Sequence, residues 1–136
     1  MAKSAREKLN AKKDPKKVVL THNFGGGGKG ELMFVGTPRI IADYIEKIPY
    51  GQTRTIEKLR GDLARRRKCD ITCPMSTAKF VRMAAEAALE DMADGVAPSD
   101  TIPFWRVIDG RHKIAGKLNV DPAWIDAQRA LENGSA

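Results

Sequence analysis

Apolar side chains recur at helical spacing in the middle of the chain. Between Thr37-Pro38 and Pro49 they lie mostly three or four positions apart, at Ile40, Ile41, Tyr44, Ile45 and Ile48. This spacing places them on one helical face, and Thr followed by Pro is a favoured helix start. The pattern therefore predicts a helix that begins after Thr37 and ends by Pro49.

Two further helices are predicted on either side of a short connection. Thr55 can cap the first, which ends in the basic run 65–68, and Ser76 or Thr77 can cap the second, which reaches about Met92. Their apolar seams are Ile56, Leu59 and Leu63, and then Phe80, Val81, Ala84, Ala87, Ala88 and Met92. Two helices joined by a short turn are the arrangement of a helix-turn-helix. The basic run also fits a solvated helix end.

Apolar runs bounded by turn residues predict strands at two places. Residues 32–35 fit a short strand or an anchor to the core, and residues 102–108 fit a longer strand. Asp109-Gly110 is a strong hairpin signal, so residues 111–114 are predicted as the return strand.

A last helix is predicted after Asp121-Pro122, where Asp can cap the helix and Pro fits its first position. Its buried face would hold Trp124, Ile125 and Gln128 or Leu131. The predicted fold is mainly α with a small β-hairpin, an α+β class, in the order of a winged helix-turn-helix. Any helical domain with one hairpin would give a similar order.

Residues 1–30 differ in composition from the rest. They carry eight Lys or Arg against two carboxylates and end in a glycine-rich stretch that includes the run 25–28. Such a segment gains little from burial and loses much backbone entropy on ordering. We therefore predict a basic flexible arm and Gly-rich linker over 1–30 and one folded domain over 31–136. A phosphate loop is disfavoured because Gly30, rather than Ser or Thr, follows Lys29.

Charge is unevenly distributed along the 136 residues, whose net charge is +7. Residues 54–68 hold seven cations and two carboxylates, whereas residues 83–105 hold five carboxylates and no Lys or Arg. A basic face favours a nucleic-acid partner. The sequence contains neither an apolar membrane span nor a secretory signal, so we expect a cytoplasmic monomer that binds no membrane and no cofactor. Two cysteines are too few for a disulfide framework.

Two segments resemble a known family. Residues 48–55, IPYGQTRT, and residues 102–110, IPFWRVIDG, are similar to conserved segments of alkylguanine-DNA alkyltransferases and of alkyltransferase-like proteins. The resemblance covers roughly residues 37–118, with the same order of helices. It implies a winged helix-turn-helix domain that binds double-stranded DNA, with a DNA repair role and a repair protein as a further partner.

The same resemblance implies that no methyl group is transferred. The family's nucleophilic cysteine and its activating histidine correspond to Phe104 and Trp105, which can act neither as nucleophile nor as base. We therefore expect no catalytic residue. Phe104, Trp105 and Arg106 are instead candidates for a base pocket. The alternative is that Phe104 and Trp105 alternate on a strand, one in the core and the other partly exposed.

The resemblance also assigns candidate DNA contacts. Lys79 takes the position of the arginine that fills the space of a flipped base, and Ala78, Ala84 and Ala85 would keep that helix slim. Ile56 replaces the family's tyrosine. The full candidate set is Arg54, Thr55, Arg65, Arg66, Ser76, Lys79, Arg82, Arg111 and Lys113.

Three functions follow as hypotheses. The first is a non-enzymatic DNA-binding protein, which would recognise alkylated or damaged bases. The second is an alkyl-transfer enzyme that uses Cys73 at a helix N-terminus. The third is a protein-interaction module that binds through the acidic stretch 86–100. A zinc site from Cys69 and Cys73 with the two histidines lacks the paired spacing of zinc modules.

Overall fold

The protein is helix-rich with one small sheet, as its computed structural model, which describes residues 4–134, shows. The helices are α1 Ala5–Asn10, α2 Pro38–Glu46, α3 Ile56–Arg66, α4 Pro74–Ala93 and α5 Pro122–Glu132. The strands are β1 Lys16–Val19, β2 Leu32–Val35 and β3 Ile71–Thr72. The predicted α+β class is confirmed. Within residues 4–134, no helix combines the length and the apolar character needed to cross a membrane.

Hydroxyl and proline caps start the helices largely where the sequence predicts. The Thr37 hydroxyl accepts from the Ile40 amide at 3.2 Å, and the Thr55 hydroxyl accepts from the Lys58 amide at 3.0 Å. Helix α4 is a correction, because it begins at Pro74 with Cys73 at the N-cap position, before both of the predicted caps, Ser76 and Thr77. The Thr77 hydroxyl lies inside the first turn and donates to the Cys73 carbonyl at 2.7 Å.

Helix α4 forms the centre of the core. Ala84, Ala85, Ala87 and Ala88 are all fully buried, and such small side chains let neighbouring helices approach closely. Helices α1 and α2 both pack against α4, and the aromatic residues of the 104–105 segment complete the same core. The expectation that Ala84 and Ala85 slim an exposed helix face is therefore wrong, since both face the interior.

The sheet packs against α3 through β2 and β3. Its order is β1-β2-β3, with β1 and β2 antiparallel and β2 and β3 parallel. Strand β3 belongs to the connection between α3 and α4, so the sheet joins the β1–β2 hairpin to that connection.

Residues 4–30, for which composition predicts a flexible arm, include α1 and β1 and contact the rest of the chain. Leu9 of α1 is 3% exposed, and the Glu90 carboxylate caps α1 by accepting from the Ala5 amide at 2.5 Å. The glycines serve close packing: a Cβ on Gly25 would lie 2.8 Å from Pro74 Cδ, and one on Gly27 would lie 2.8 Å from Ile71 Cδ1.

The hairpin predicted over residues 102–114 is wrong. Phe104–Arg106 and Ala115–Lys117 are short 3-10 turns instead. The backbone groups that a return strand would pair have other partners: Arg129 Nη1 donates to the Trp105 and Ile108 carbonyls at 2.9 and 3.2 Å. The Gly110 amide donates to Asp126 Oδ1 of α5 at 2.8 Å. Helix α5 therefore takes the place of the predicted strand partner.

Candidate nucleic-acid interface

Four cations surround a small pocket between α2 and α3, which we call the cationic pocket. Its volume is about 200 Å³, and it is lined by Tyr44, Lys47, Ile48, Arg54, Lys58, Asp62 and Arg66. Lys58, Asp62 and Arg66 lie four residues apart on α3 and so share one helical face. Four positive charges against one carboxylate leave the pocket suited to an anion of phosphate size.

Hydrogen bonds and ion pairs shape the cationic pocket. The Tyr44 hydroxyl donates to Asp62 Oδ2 at 2.6 Å, and Lys58 Nζ lies 3.1 Å from Asp62 Oδ1. Burial, with the hydrogen bond to Asp62, raises the pKa of Tyr44 to about 12. The hydrogen bond from Tyr44 and the nearby cations lower the pKa of Asp62 below its ordinary value. Tyr44 therefore stays neutral and Asp62 stays charged across the physiological range.

The arginines of α3 and of its C-cap divide between two roles. Arg66 places its guanidinium 5.3 Å from the centre of the Tyr44 ring, at the wall of the cationic pocket. Arg65 pairs with Asp62 and is largely exposed. Arg60 and Arg67 serve the fold: Arg60 donates to the Thr72 and Gly25 carbonyls at 3.0 and 2.9 Å, and Arg67 lies over the Phe34 ring.

A second, smaller cleft adjoins the N-terminus of α3. Its volume is about 180 Å³, and Arg54 lines both this cleft and the cationic pocket. Thr55, His112 and Arg129 also line it. The structure thus brings together Arg54, Thr55 and Arg66 of the predicted DNA contacts.

The outer face of α4 carries a stripe of side chains at Met75, Lys79, Arg82 and Glu86. Met75 is 70% exposed, and Lys79 is exposed. Arg82 Nε lies 3.6 Å from Glu86 Oε2, so the two charges largely offset each other. Ser76, another predicted contact, donates to Cys73 Sγ at 3.4 Å. Lys79 and Arg82 line neither the cationic pocket nor the cleft beside it.

Arg111 and Lys113 lie on the loop that replaces the predicted hairpin. Both are exposed, and His112 between them accepts from the Ile114 amide at 3.1 Å through Nδ1. Of residues 111–113, His112 lines the cleft beside α3. Arg111 and Lys113 therefore lie outside the two pockets that hold Arg54, Thr55 and Arg66.

Two of the three base-pocket candidates, Phe104 and Trp105, are buried. Phe104 is 0% exposed and Trp105 is 2% exposed, so the expectation that one of them is partly exposed is wrong. Both pack with Trp124 in an aromatic cluster whose ring centres lie 5.4 to 6.1 Å apart. A base could stack on these rings only after the cluster opened.

Arg106 braces the segment, and with Trp105 it also lines a pocket of about 470 Å³. Its Nε and Nη2 donate to the two carboxylate oxygens of Glu132 at 2.8 and 2.9 Å, and its Nη1 donates to the Ile48 carbonyl at 2.7 Å. The Arg54 amide donates back to the Arg106 carbonyl at 2.8 Å. The two sequence segments with the family resemblance therefore contact each other.

Cys73 sits in apolar surroundings. It is 7% exposed and packs with Leu20 and Met33 in a small cluster apart from the main core. Its Sγ accepts a hydrogen bond from the Ser76 hydroxyl. In the described part of the chain, residues 4–134, no three His, Cys, Asp or Glu side chains gather in a group that could hold a metal ion.

The acidic stretch 86–100 is largely engaged within the chain. Glu90 caps α1, and Asp91 and Asp94 pair with Arg6 at 3.1 and 2.8 Å. The hydrogen bond to Asp94 raises the pKa of Arg6. These carboxylates are therefore less available to a partner than their sequence suggests.

Sequence reasoning missed Lys47, Lys58 and the Tyr44–Asp62 pair. The four-residue spacing of Lys58, Asp62 and Arg66 was the available signal for a shared face. Tyr44 gave no such signal, because its apolar ring fits the buried face of α2 equally well.

Comparisons with protein families, curated proteins and solved structures found no match to this chain. Function therefore has to be inferred from the chemistry of the site.

Proposed function

We propose that this protein is a non-enzymatic, alkyltransferase-like DNA-binding protein that holds the phosphate backbone of duplex DNA. The observation that carries the proposal is the cationic pocket, where Lys47, Arg54, Lys58 and Arg66 surround a space of about 200 Å³. Backbone contacts of this kind position a protein on DNA without reading its sequence. We therefore expect binding with weak sequence preference and strong salt dependence.

In this proposal α3 and α4 are the two helices of a winged helix-turn-helix, and α4 approaches a groove. The exposed stripe on α4 supports that role, since Lys79 can meet phosphate and Met75 belongs to the residue types that wedge between base steps. The contact between the two segments of the family resemblance also supports the assignment.

The burial of Phe104 and Trp105 argues for DNA binding that is indifferent to alkylation. Unstacking a base costs a few kcal/mol, which a pocket must return by stacking and contacts. Opening the aromatic cluster would add to that cost. We expect an alkylated duplex to bind less than tenfold more tightly than a plain one, a difference below about 1.4 kcal/mol. A larger preference that disappears in Trp105→Ala would show that damage recognition operates.

The test is fluorescence anisotropy of the full chain with a labelled duplex across a range of salt. The variant Lys58→Gln/Arg66→Gln keeps good helix formers and removes two charges from the cationic pocket. Each lost phosphate contact lowers the salt slope by about 1, so this variant should lose about 2 and bind at least ~10-fold more weakly at ~0.1 M salt.

The matched control is Lys8→Gln/Lys117→Gln, which removes the same charge elsewhere. Lys8 lines a groove with Leu89, Glu90 and Ala93 at the C-terminal end of α4, the end opposite Met75, and Lys117 lies two residues before Asn119 of that groove. The control should keep the wild-type slope and bind within about twofold of wild type, since it removes no phosphate contact. Failure of the wild-type chain to bind duplex at low salt would refute the proposal.

A further inference from the structure

The β1–β2 hairpin is fixed beside the first turn of α4. Arg60 of α3 donates to the Gly25 carbonyl at the hairpin tip and to the Thr72 carbonyl of β3, at 2.9 and 3.0 Å. Gly25 lies so close to Pro74 that a Cβ there would meet the proline ring at 2.8 Å. The hairpin tip is therefore held at the point where α4, with its exposed Met75, begins.

Strand β1 does not cover the core. All four of its residues are exposed, including Val18 at 40% and Val19 at 60%. A strand that covers a core shows one buried face, because successive side chains point to opposite sides. Strand β1 pairs only with β2, so its other edge has no strand partner in the described sheet. Its exposure indicates a surface role rather than a packing role.

The hairpin and the segment just before it carry a dense positive charge. Lys12, Lys13, Lys16, Lys17 and Lys29 are all exposed, and within residues 4–134 none of them forms a salt bridge. Of the carboxylates nearby, Glu31 accepts from the Gly28 amide at 2.5 Å, Asp70 accepts from the Leu32 amide at 2.8 Å, and Asp14 is exposed. The lysines are therefore available for an anionic partner.

The positions of Lys16 and Lys17 suit a groove with phosphates on both walls. As neighbours on a strand, they point to opposite faces of the ribbon. A ribbon that follows a DNA groove meets one phosphate backbone on each side, and each lysine can contact one of them. A flat anionic surface could contact only one of the two lysines, because they point to opposite faces of the ribbon.

We infer that the β1–β2 hairpin is the wing of this protein and contacts DNA phosphates next to the site of α4. This inference rests on the DNA-binding function proposed above. It moves the wing from the predicted hairpin at residues 102–114 to the N-terminal side of the helix pair. It also assigns Lys16 and Lys17 to defined phosphate contacts rather than to a nonspecific electrostatic attraction.

The experiment compares two double variants of the full chain with the Lys8→Gln/Lys117→Gln control. Lys16→Thr/Lys17→Thr keeps strand propensity, and Lys12→Ser/Lys13→Ser removes the same charge outside the β-ladder. Lys16→Thr/Lys17→Thr should lower the salt slope of duplex binding by about 2 and weaken binding at least ~10-fold at ~0.1 M salt. Lys12→Ser/Lys13→Ser should weaken binding as well. The control should change neither the salt slope nor the affinity.

The outcomes separate the wing from the proposed function. In one outcome, wild type binds, Lys58→Gln/Arg66→Gln weakens binding, and both Lys16→Thr/Lys17→Thr and Lys12→Ser/Lys13→Ser match the control. The wing inference is then wrong and the DNA-binding proposal stands. If wild type does not bind duplex at low salt, both are wrong. Poly-glutamate serves as a second probe. If Lys16→Thr/Lys17→Thr abolishes poly-glutamate binding and spares DNA binding, the hairpin is a peptide-binding edge and the inference is overturned.

Discussion

Glu132 is a single carboxylate that holds three parts of the chain. It accepts from Trp105 Nε1 at 2.7 Å, from two nitrogens of Arg106, and from the Gly51 amide at 3.3 Å. Its side chain is 7% exposed and that of Arg106 is 14% exposed. Burial alone would raise the pKa of Glu132, but the hydrogen bonds from Arg106, Trp105 and Gly51 lower it below its ordinary value.

This depressed pKa predicts a loss of stability in acid. Below the ordinary value of 4.5, the unfolded chain binds the proton of Glu132 more readily than the folded chain does. The contribution of Glu132 is therefore present above that value and is lost as pH falls through the lower, folded value. Glu132→Gln should cost about 2–3 kcal/mol of unfolding free energy near neutral pH.

Urea unfolding, followed by tryptophan fluorescence, measures this difference. The gap between wild type and Glu132→Gln should shrink as pH is lowered from about 7 to about 3.5. A gap that stays constant over this range would mean that the Gln variant acts through packing rather than through charge.

Gly25 occupies a position that other residues fit poorly. Its φ is +61°, in the left-handed region, and a Cβ would lie 2.8 Å from Pro74 Cδ. We expect Gly25→Ala to cost about 2–4 kcal/mol, the sum of backbone strain and overpacking against a rigid ring.

Gly61 provides the matched comparison. It lies within α3, where a Cβ would meet nothing within 4 Å. Gly61→Ala should stabilise the protein by about 0.5–1 kcal/mol through helix propensity. Thermal unfolding of the two variants should shift Tm in opposite directions. A Gly25→Ala variant as stable as wild type would contradict the fixed position of the hairpin tip.

Among the elements, α1 shows how far composition can mislead. Its six residues, AREKLN, lie in the basic segment, yet Leu9 enters the core beside α4. We expect Leu9→Ala to destabilise the protein by about 2–5 kcal/mol, the usual cost of a buried Leu→Ala change. Leu131→Ala, at a side chain 52% exposed on α5, should change the free energy by less than about 0.5 kcal/mol.

Denaturant unfolding of both leucine variants tests whether α1 belongs to the cooperative fold. If Leu9→Ala behaves like Leu131→Ala, then α1 contributes no stability and residues 4–30 act as an arm after all.

The local chemistry of the helices could be predicted from sequence, and the partners of the loops could not. Thr37 and Thr55 cap their helices because an N-cap needs only residues within one turn. Asp109-Gly110 carries a hairpin signal, but its backbone bonds to Asp126, and Arg129 takes nearby carbonyls. Those partners lie far along the chain, so no local pattern could show them. The cationic pocket likewise combines residues of α2 with residues of α3.

For the whole molecule, the burial of Phe104, the position that the sequence resemblance aligns with the family's cysteine, predicts that no methyl group is taken up from alkylated DNA. Phe104 is fully buried and lacks a nucleophile, and Cys73 is enclosed with Leu20 and Met33. Mass spectrometry after incubation with a methylguanine oligonucleotide should find the protein mass unchanged. A gain of one methyl group on Cys73, absent in Cys73→Ala, would establish an alkyl-transfer enzyme instead.

The pairing of Arg106 with Glu132 also governs when the protein can finish folding during its synthesis. The side chains of Arg106 and Trp105 and the carbonyl of Ile108 all form hydrogen bonds with residues of α5. At 5–20 residues per second, the ribosome needs roughly 1–5 s to pass from residue 106 to residue 132. During that interval the side chains of Trp105 and Arg106 lack their hydrogen-bond partner Glu132. Completion of the core therefore follows the synthesis of α5.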